Sequence, residues 1–570
     1  MNEEFKKPYN PNEHEDLIYK KWEESGFFNP DVCIKKGITS EKADYFSIVL
    51  PPPNVTGTLH MGSAFMLAIE DTMVRYNRML GKKTLWIPGT DHAAIATQSK
   101  VEKIIQKEEG KNRHDLGREE FLSRVEKFAK ENHDTIINQM KKMGCSLDWS
   151  REAFTLDEKR NFAVKTVFKK MYDDGIIYRG HRVVNWDPKG QTTISDDEIV
   201  YEERKAIMYT FKYSSDFPIA ISTTRPETKV GDTAVAVHPT DKRYKKFIGK
   251  EFTVEFAGNT LHIKVVGDES VDPDFGTGAL GVTPAHSSVD FDISKRHDLN
   301  MIQVIGEDGK MTPMAGEFVL GLSTKSAREK VVEWLRENEL LESEEDSAQN
   351  LSTAERTGGT VEPLPKLQWF IGVNTEFTRD GKKVTLKALM QDAVRGKKIE
   401  ILPAHFEKTY FHWVDNLRDW CISRQIWFGH RVPVWYCKDP DHLKQKYETN
   451  SARDVGELYA VHRGLISVGE PVDACPMCGS KDVYQDEDTL DTWFSSGLWT
   501  FSTIGWPDKV EFEKNHAYHP TTVLETGYDI LPIWVAKMIM MTTCLIGEVP
   551  FKTVYLHGLV RDEQGRKMSK

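Results

Sequence analysis

At 570 residues the chain is too long for one hydrophobic core and calls for about two to four domains. Its 39% hydrophobic and 29% charged residues are ordinary for a globular cytoplasmic protein and exclude a disordered or fibrous chain. Lys+Arg 76 against Asp+Glu 87 leaves a net charge of −11, which argues against a broadly basic nucleic-acid-binding surface while leaving local basic patches open. Seven cysteines do not make a disulfide scaffold and point to a reducing compartment. Residues 1–10 are polar, unlike a signal peptide, and no run reaches the roughly 18 uninterrupted apolar residues of a membrane span. The most apolar stretch, 530–546, is broken by Pro532 and Lys537 and reads as a buried helix, so no membrane partner is expected.

Residues 10–28 carry Leu17, Ile18 and Trp22 at helical spacing and predict a leading helix. An apolar run at 46–50 predicts a strand, followed by a Gly/Pro loop at 51–57 and a helix over 59–80. Strand, loop and helix in that order start a nucleotide-binding α/β unit. Residues 84–88 predict the second strand, leading into Gly89-Thr-Asp-His-Ala93. From about 196 the texture changes to short β-rich segments at 219–224, 233–237, 252–256 and 261–266, the pattern of an inserted β domain ending near 341–345. The acidic stretch 342–350 reads as an exposed connector, 404–427 as helix, and 436–485 as a loop-rich insert.

Two short motifs carry chemistry. In His60-Met-Gly-Ser63, Gly62 permits close approach of a ligand, while His60 and a helix N-terminus stabilise phosphate charge. In Lys567-Met-Ser-Lys570, two lysines flank a small polar turn suited to a triphosphate. Taken alone, each reads more readily as a solvated junction or a basic surface turn than as a binding motif. Together, near the two ends of an interrupted α/β fold, they point to a nucleotide. Cys475-Pro-Met-Cys478 has the spacing of two thiolates on one metal, with Cys437 and His442 the nearest further ligands and Asp439 and Asp441 weaker substitutes. The alternative is a pair of unligated thiols. Cys33, Cys145, Cys421 and Cys544 are scattered and read as buried structural residues.

The first two motifs resemble the HIGH and KMSKS signatures of the class I aminoacyl-tRNA synthetases. Longer blocks at 51–62, 89–98, 184–188, 422–430 and 491–496 resemble the valine-activating branch of that family. The resemblance implies a Rossmann-like parallel-sheet catalytic domain in two halves, 1–195 and 346–570, interrupted by a β-rich editing domain at 196–345 and a zinc-ribbon-like insert at 436–485. It also implies that a helical anticodon-binding domain, normally found beyond the second signature, is absent here.

By the same resemblance His60, Gly62, Ser63, Lys567 and Lys570 are the catalytic set, and Gly527, Asp529 and His557 join them around ATP, brought in with Mg²⁺. Asp91 would hold the amino-acid ammonium, with Pro52, Asn54, Trp493, Ile530 and Trp534 around the side chain. Thr223, Thr224, Arg225, Thr283 and Asp290 would form the editing site, and Cys437, His442, Cys475 and Cys478 a structural Zn²⁺ site. The implied partners are valine, ATP and tRNA(Val), for a cytoplasmic monomer. Three positions depart from the family: Ser63 replaces a second histidine, and Gly281 and Ser287 stand where Lys and Asp are common. An editing domain is expected on physical grounds, because a hydrophobic pocket rejects an added hydroxyl by only about a hundredfold, this enzyme family being the usual illustration. Isoleucine activation, a non-catalytic paralogue that binds nucleotide or tRNA, and a free-standing proofreading hydrolase remain the alternatives.

Overall fold

The computed structural model describes residues 8–439 and 464–568. The chain divides into two compact units, one of Met1–Tyr178 with Trp369–Lys570 and one of Arg179–Gln368.

The first unit is built on a five-stranded sheet: β1 (Tyr45–Val49), β2 (Lys83–Trp86), β3 (Glu400–Leu402), β4 (Thr521–Gly527) and β5 (Phe551–His557), in the order β3-β5-β4-β1-β2. Every neighbouring pair is parallel. Parallel strands are covered on both faces, so they read as continuous apolar runs; four of the five residues of β1 are buried. The chain passes from β1 outward to β2 and later returns to lay β4 on the other side of β1, which makes the carboxyl ends of β1 and β4 a topological switch point. Helix α1 (Met61–Met79) follows β1 and buries Met66, Leu67, Glu70 and Val74 along one face at helical spacing.

The leading helix runs over Pro11–Ser25, capped by the Asn10 side chain at one end and by left-handed Gly26 at the other. Residues 404–427 are only partly helical: the helix Phe406–Asp415 gives way to the short strands Trp420–Cys421 and Ser423–Arg424, which pair with 370–371 and 489–490. By length and composition alone, Tyr528–Leu545 is apolar enough to cross a membrane. In the protein it is a core element, a π turn at Leu531–Val535 running into Ala536–Leu545, all ten residues of which are buried.

The second unit contains a four-stranded sheet ordered Glu251–Phe256, Asn259–Gly267, Ala234–Val237 and Ala279–Val282, and a three-stranded one of Leu341–Ala354, Ile199–Phe211 and Ile221–Thr223. Its limits lie outside the expected 196–345, because Trp186 and Leu364 pack in the same core as Phe211, Tyr213 and Phe256. The acidic stretch at 342–350 is a strand, paired antiparallel with Ile199–Phe211 along its length. Its polarity reflects a ribbon largely open to water, whose backbone is satisfied by the ladder. Where the chain leaves and re-enters the first unit, the Gly372 amide donates to the Ile176 carbonyl at 2.9 Å.

Within 436–485 the described residues form a three-stranded sheet, with Val434–Cys437 between Leu465–Val468 and Val483–Gln485.

Candidate functional site

The loops at the carboxyl ends of β1 and β2 are tied together. The amides of Val55 and Asp91 donate to the carbonyls of Asp91 and Pro53, both at 2.9 Å, and Asn54 bridges Asp91 through the backbone. This brings residues 53–55 beside Asp91. His60 caps α1: its Nδ1 accepts the Ser63 amide at 3.2 Å, so its ring proton sits on Nε2. A Cβ on Gly62 would lie 2.9 Å from the His60 ring, so only glycine leaves the ring in place.

Asp91 is buried. Its Oδ1 accepts the Ala93 amide at 2.7 Å and its Oδ2 accepts the Ser496 hydroxyl. Burial raises its pKa to about 6. Among the described residues no lysine or arginine pairs with it. His92, at 3.5 Å, does not serve, because burial lowers that imidazole's pKa to about 3. The neighbouring buried carboxylate, Asp491, does have a cation: Arg424 donates to it at 2.6 Å, and the pair holds Asp491 below the usual carboxylate range despite its burial.

Pro52, Trp493 and Ile530, expected around the amino-acid side chain, are half-buried. Trp534 is placed differently from expectation. It is sealed in the core and cannot wall an open pocket; instead its Nε1–H donates to the Ser496 carbonyl at 3.0 Å, behind the serine that holds Asp91. Ser496 was contained in the quoted 491–496 block, but only the fold shows its partner.

Gly527, Asp529 and His557 lie at the carboxyl ends of β4 and β5. Glu525, not anticipated from the sequence, bonds His557 Nδ1 from the floor of β4, its carboxyl raised by burial more than His557 lowers it. Lys567 pairs with Asp529, and Arg561 donates to the Tyr528 hydroxyl at 3.0 Å, folding the second signature back onto the turn after β4. Lys570 lies outside the described residues.

The sulfurs of Cys437, Cys475 and Cys478 lie within 4.8 Å of one another, with 3.8 Å between Cys437 and Cys478. Two thiolates about 2.3 Å from a shared tetrahedral ion sit about 3.8 Å apart, so this donor set fits zinc. His442 lies outside the described residues.

In the second unit Thr283 and Asp290 come together, the Thr283 amide donating to Asp290 Oδ2 at 2.8 Å and Ser287 to Oδ1 at 3.0 Å. Thr223 accepts the Arg225 amide at 3.0 Å, and Thr224 is half-buried beside it. Arg225 donates to Glu362 at 2.7 Å and to Glu227 at 3.1 Å. Burial works against its charge, but the two carboxylates more than offset it. His286 is structural: its Nε2 accepts the amides of Val304 and Ile305 at 2.9 and 3.1 Å, and burial lowers its pKa to about 3.

A parallel sheet with a HIGH-type cap at its switch point and Lys567 paired with Asp529 after β4 agrees with what the whole chain matches: the family of tRNA synthetases class I (I, L, M and V), over residues 17–570. The chain belongs to this family. It is 46% identical to the valine–tRNA ligase of Clostridium acetobutylicum over 571 residues, covering 100% of this chain and 60% of the relative. The valine–tRNA ligase of Thermotoga maritima is 45% identical over 565 residues, 99% of this chain and 60% of the relative. A chloroplastic/mitochondrial valine–tRNA ligase of Arabidopsis thaliana is 45% identical over 560 residues, 98% and 54%. This synthetase chain therefore spans about 60% or less of the length of these curated relatives.

Proposed function

We propose that the chain carries the valine-activating and proofreading parts of a valine–tRNA ligase. The observation that carries this reading is Asp91: a buried carboxylate with no protein cation among the described residues, held by Ala93 and Ser496. An α-ammonium group supplies the missing charge. With the ammonium there, the valine carboxylate is directed at the α-phosphorus of ATP. One of its oxygens forms the new O–P bond as the bond to the bridging oxygen breaks, and pyrophosphate leaves. His60 Nε2–H donates to phosphate oxygen, and Lys567 and Lys570 offset the developing charge, so catalysis is positioning and charge stabilisation without a side-chain nucleophile. Gly527, Asp529 and His557 would receive the nucleoside. Mg²⁺ enters with ATP as part of the substrate. A terminal hydroxyl of tRNA(Val) then attacks the acyl carbon, and AMP leaves.

Ser63 lacks the charge of a second histidine, which reduces phosphate stabilisation without changing the reaction. Thr223, Thr224, Arg225, Thr283 and Asp290 belong to a site that hydrolyses threonyl esters of tRNA(Val), with Asp290 taking the ammonium. Cys437, Cys475 and Cys478, with His442, are the ligands of a structural zinc ion. Seven free cysteines fit the reducing cytoplasm, and a monomer is proposed.

The test is amino-acid-dependent ATP–pyrophosphate exchange with valine, threonine, isoleucine, alanine and leucine, which needs no tRNA. Exchange led by valine, with weaker exchange on threonine, is expected. Exchange led by isoleucine refutes the specificity, and silence with all five favours a non-catalytic paralogue.

A further inference from the structure

A buried ammonium lies against Gly281. It belongs to Lys229, in the 3₁₀ turn Pro226–Gly231. Lys229 Nζ donates to the Gly281 carbonyl at 2.7 Å, to Thr283 Oγ1 at 2.8 Å and to Asp232 Oδ1 at 3.3 Å, satisfying its three protons. Thr283 in turn donates its hydroxyl to Asp232 Oδ1, and Tyr213 donates to Oδ2.

A side chain at 281 points at the same carboxylate. A Cβ there would lie 2.5 Å from Asp232 Oδ2, 2.6 Å from the Tyr213 hydroxyl and 2.7 Å from Ile221 Cδ1. No side chain fits at 281 beside these groups, so the cation at Asp232 and Thr283 comes from Lys229. We propose that Lys229 is a positioning residue of the editing site, holding Thr283 and Asp232 in place. The inference rests on the editing reading above.

The charges fit an amino-acid ester as ligand. One lysine faces two buried carboxylates, Asp232 and Asp290, with Thr283 bonded to both. If both are ionised, one negative charge is left over, and the ammonium of the threonyl group balances it. Losing Lys229 leaves two buried carboxylates around Thr283 with no cation, and the threonine no longer held from its hydroxyl side.

The experiment uses the chain as it stands and a short acceptor-stem RNA carrying a threonyl or valyl ester. The unmodified chain is expected to hydrolyse the threonyl ester and spare the valyl ester. Lys229→Met keeps the aliphatic stem, and it should slow threonyl hydrolysis at least about tenfold, with circular dichroism confirming that the unit is folded. Gly281→Lys alone should do the same, for want of space. Lys229→Arg keeps a cation at Asp232 and should recover to within about fivefold of the unmodified chain, a rescue that loss of packing does not produce. A folded Lys229→Met chain that edits normally, or an arginine variant no better than the methionine one, overturns the role of Lys229 and leaves the editing reading intact. An unmodified chain that hydrolyses neither ester, or both alike, overturns the editing reading and this inference with it.

Discussion

His60 and Ser63 are joined by a hydrogen bond of 3.2 Å in which the imidazole Nδ1 accepts the first-turn amide of α1. The bond caps the helix and leaves Nε2 as the only ring donor, so one contact serves both fold and chemistry. Gly62 guards it. Gly62→Ala improves helix propensity by up to about 1 kcal/mol, yet its methyl group displaces the ring. We expect an unchanged or raised melting temperature with valine-dependent pyrophosphate exchange down about 10- to 100-fold. Full exchange in the alanine variant refutes the assignment of His60.

Asp91 carries a pH signature. Its folded pKa, about 6, lies above the ordinary carboxylate value of 3.8, so the folded chain holds this proton more tightly than the unfolded one. The stability it contributes is fully present below about pH 4 and is lost as pH rises through 6, reaching about 3 kcal/mol less at pH 8 at the upper bound. Asp91→Asn should therefore melt higher than the unmodified chain at pH 8 and alike at pH 4, and should lose the rise in melting temperature that valine gives. Equal melting at both pH values, or stabilisation by valine in the asparagine variant, contradicts the proposed role.

Trp534 acts at one remove from the pocket. Trp534→Phe keeps the core ring and deletes the donor to the Ser496 carbonyl, leaving a buried acceptor unsatisfied at a cost of about 1–3 kcal/mol. Because Ser496 holds Asp91, the KM for valine should rise several-fold while that for ATP stays put. Parallel changes in both constants speak against the Ser496 link.

The thiol cluster predicts one zinc ion per chain by metal analysis. Cys478→Ser should lower zinc content to below about a tenth and, like a strong chelator, reduce the melting temperature by several degrees. An unmodified chain purified without zinc that melts normally rules the site out.

Elements covered on both faces were readable. β1 is apolar apart from Tyr45 at its exposed end and Ser47, whose hydroxyl donates to the Tyr518 carbonyl, and the strand occurs where the sequence expects it. Residues 342–350 were misread for the opposite reason: a ribbon in water has no need of an apolar face, so its strand character shows only in the ladder to 203–210. In the active region the cap, Asp91 and the second signature were visible as motifs. Ser496, Glu525 and Lys229 were not, since each acts through a partner brought close only by folding: Asp91, 405 positions away from Ser496, and His557, 32 away from Glu525.

The hydrogen bond between Gly372 and Ile176 bears on how such a chain is assembled over evolutionary time. The two ends of a gap of some 190 residues are already ladder neighbours, about 5 Å apart, so the outer unit need not close a long loop in order to fold around its own core. A unit inserted this way can lengthen or shorten while the parallel sheet keeps its register. Change in one core is thereby separated from change in the other within one polypeptide.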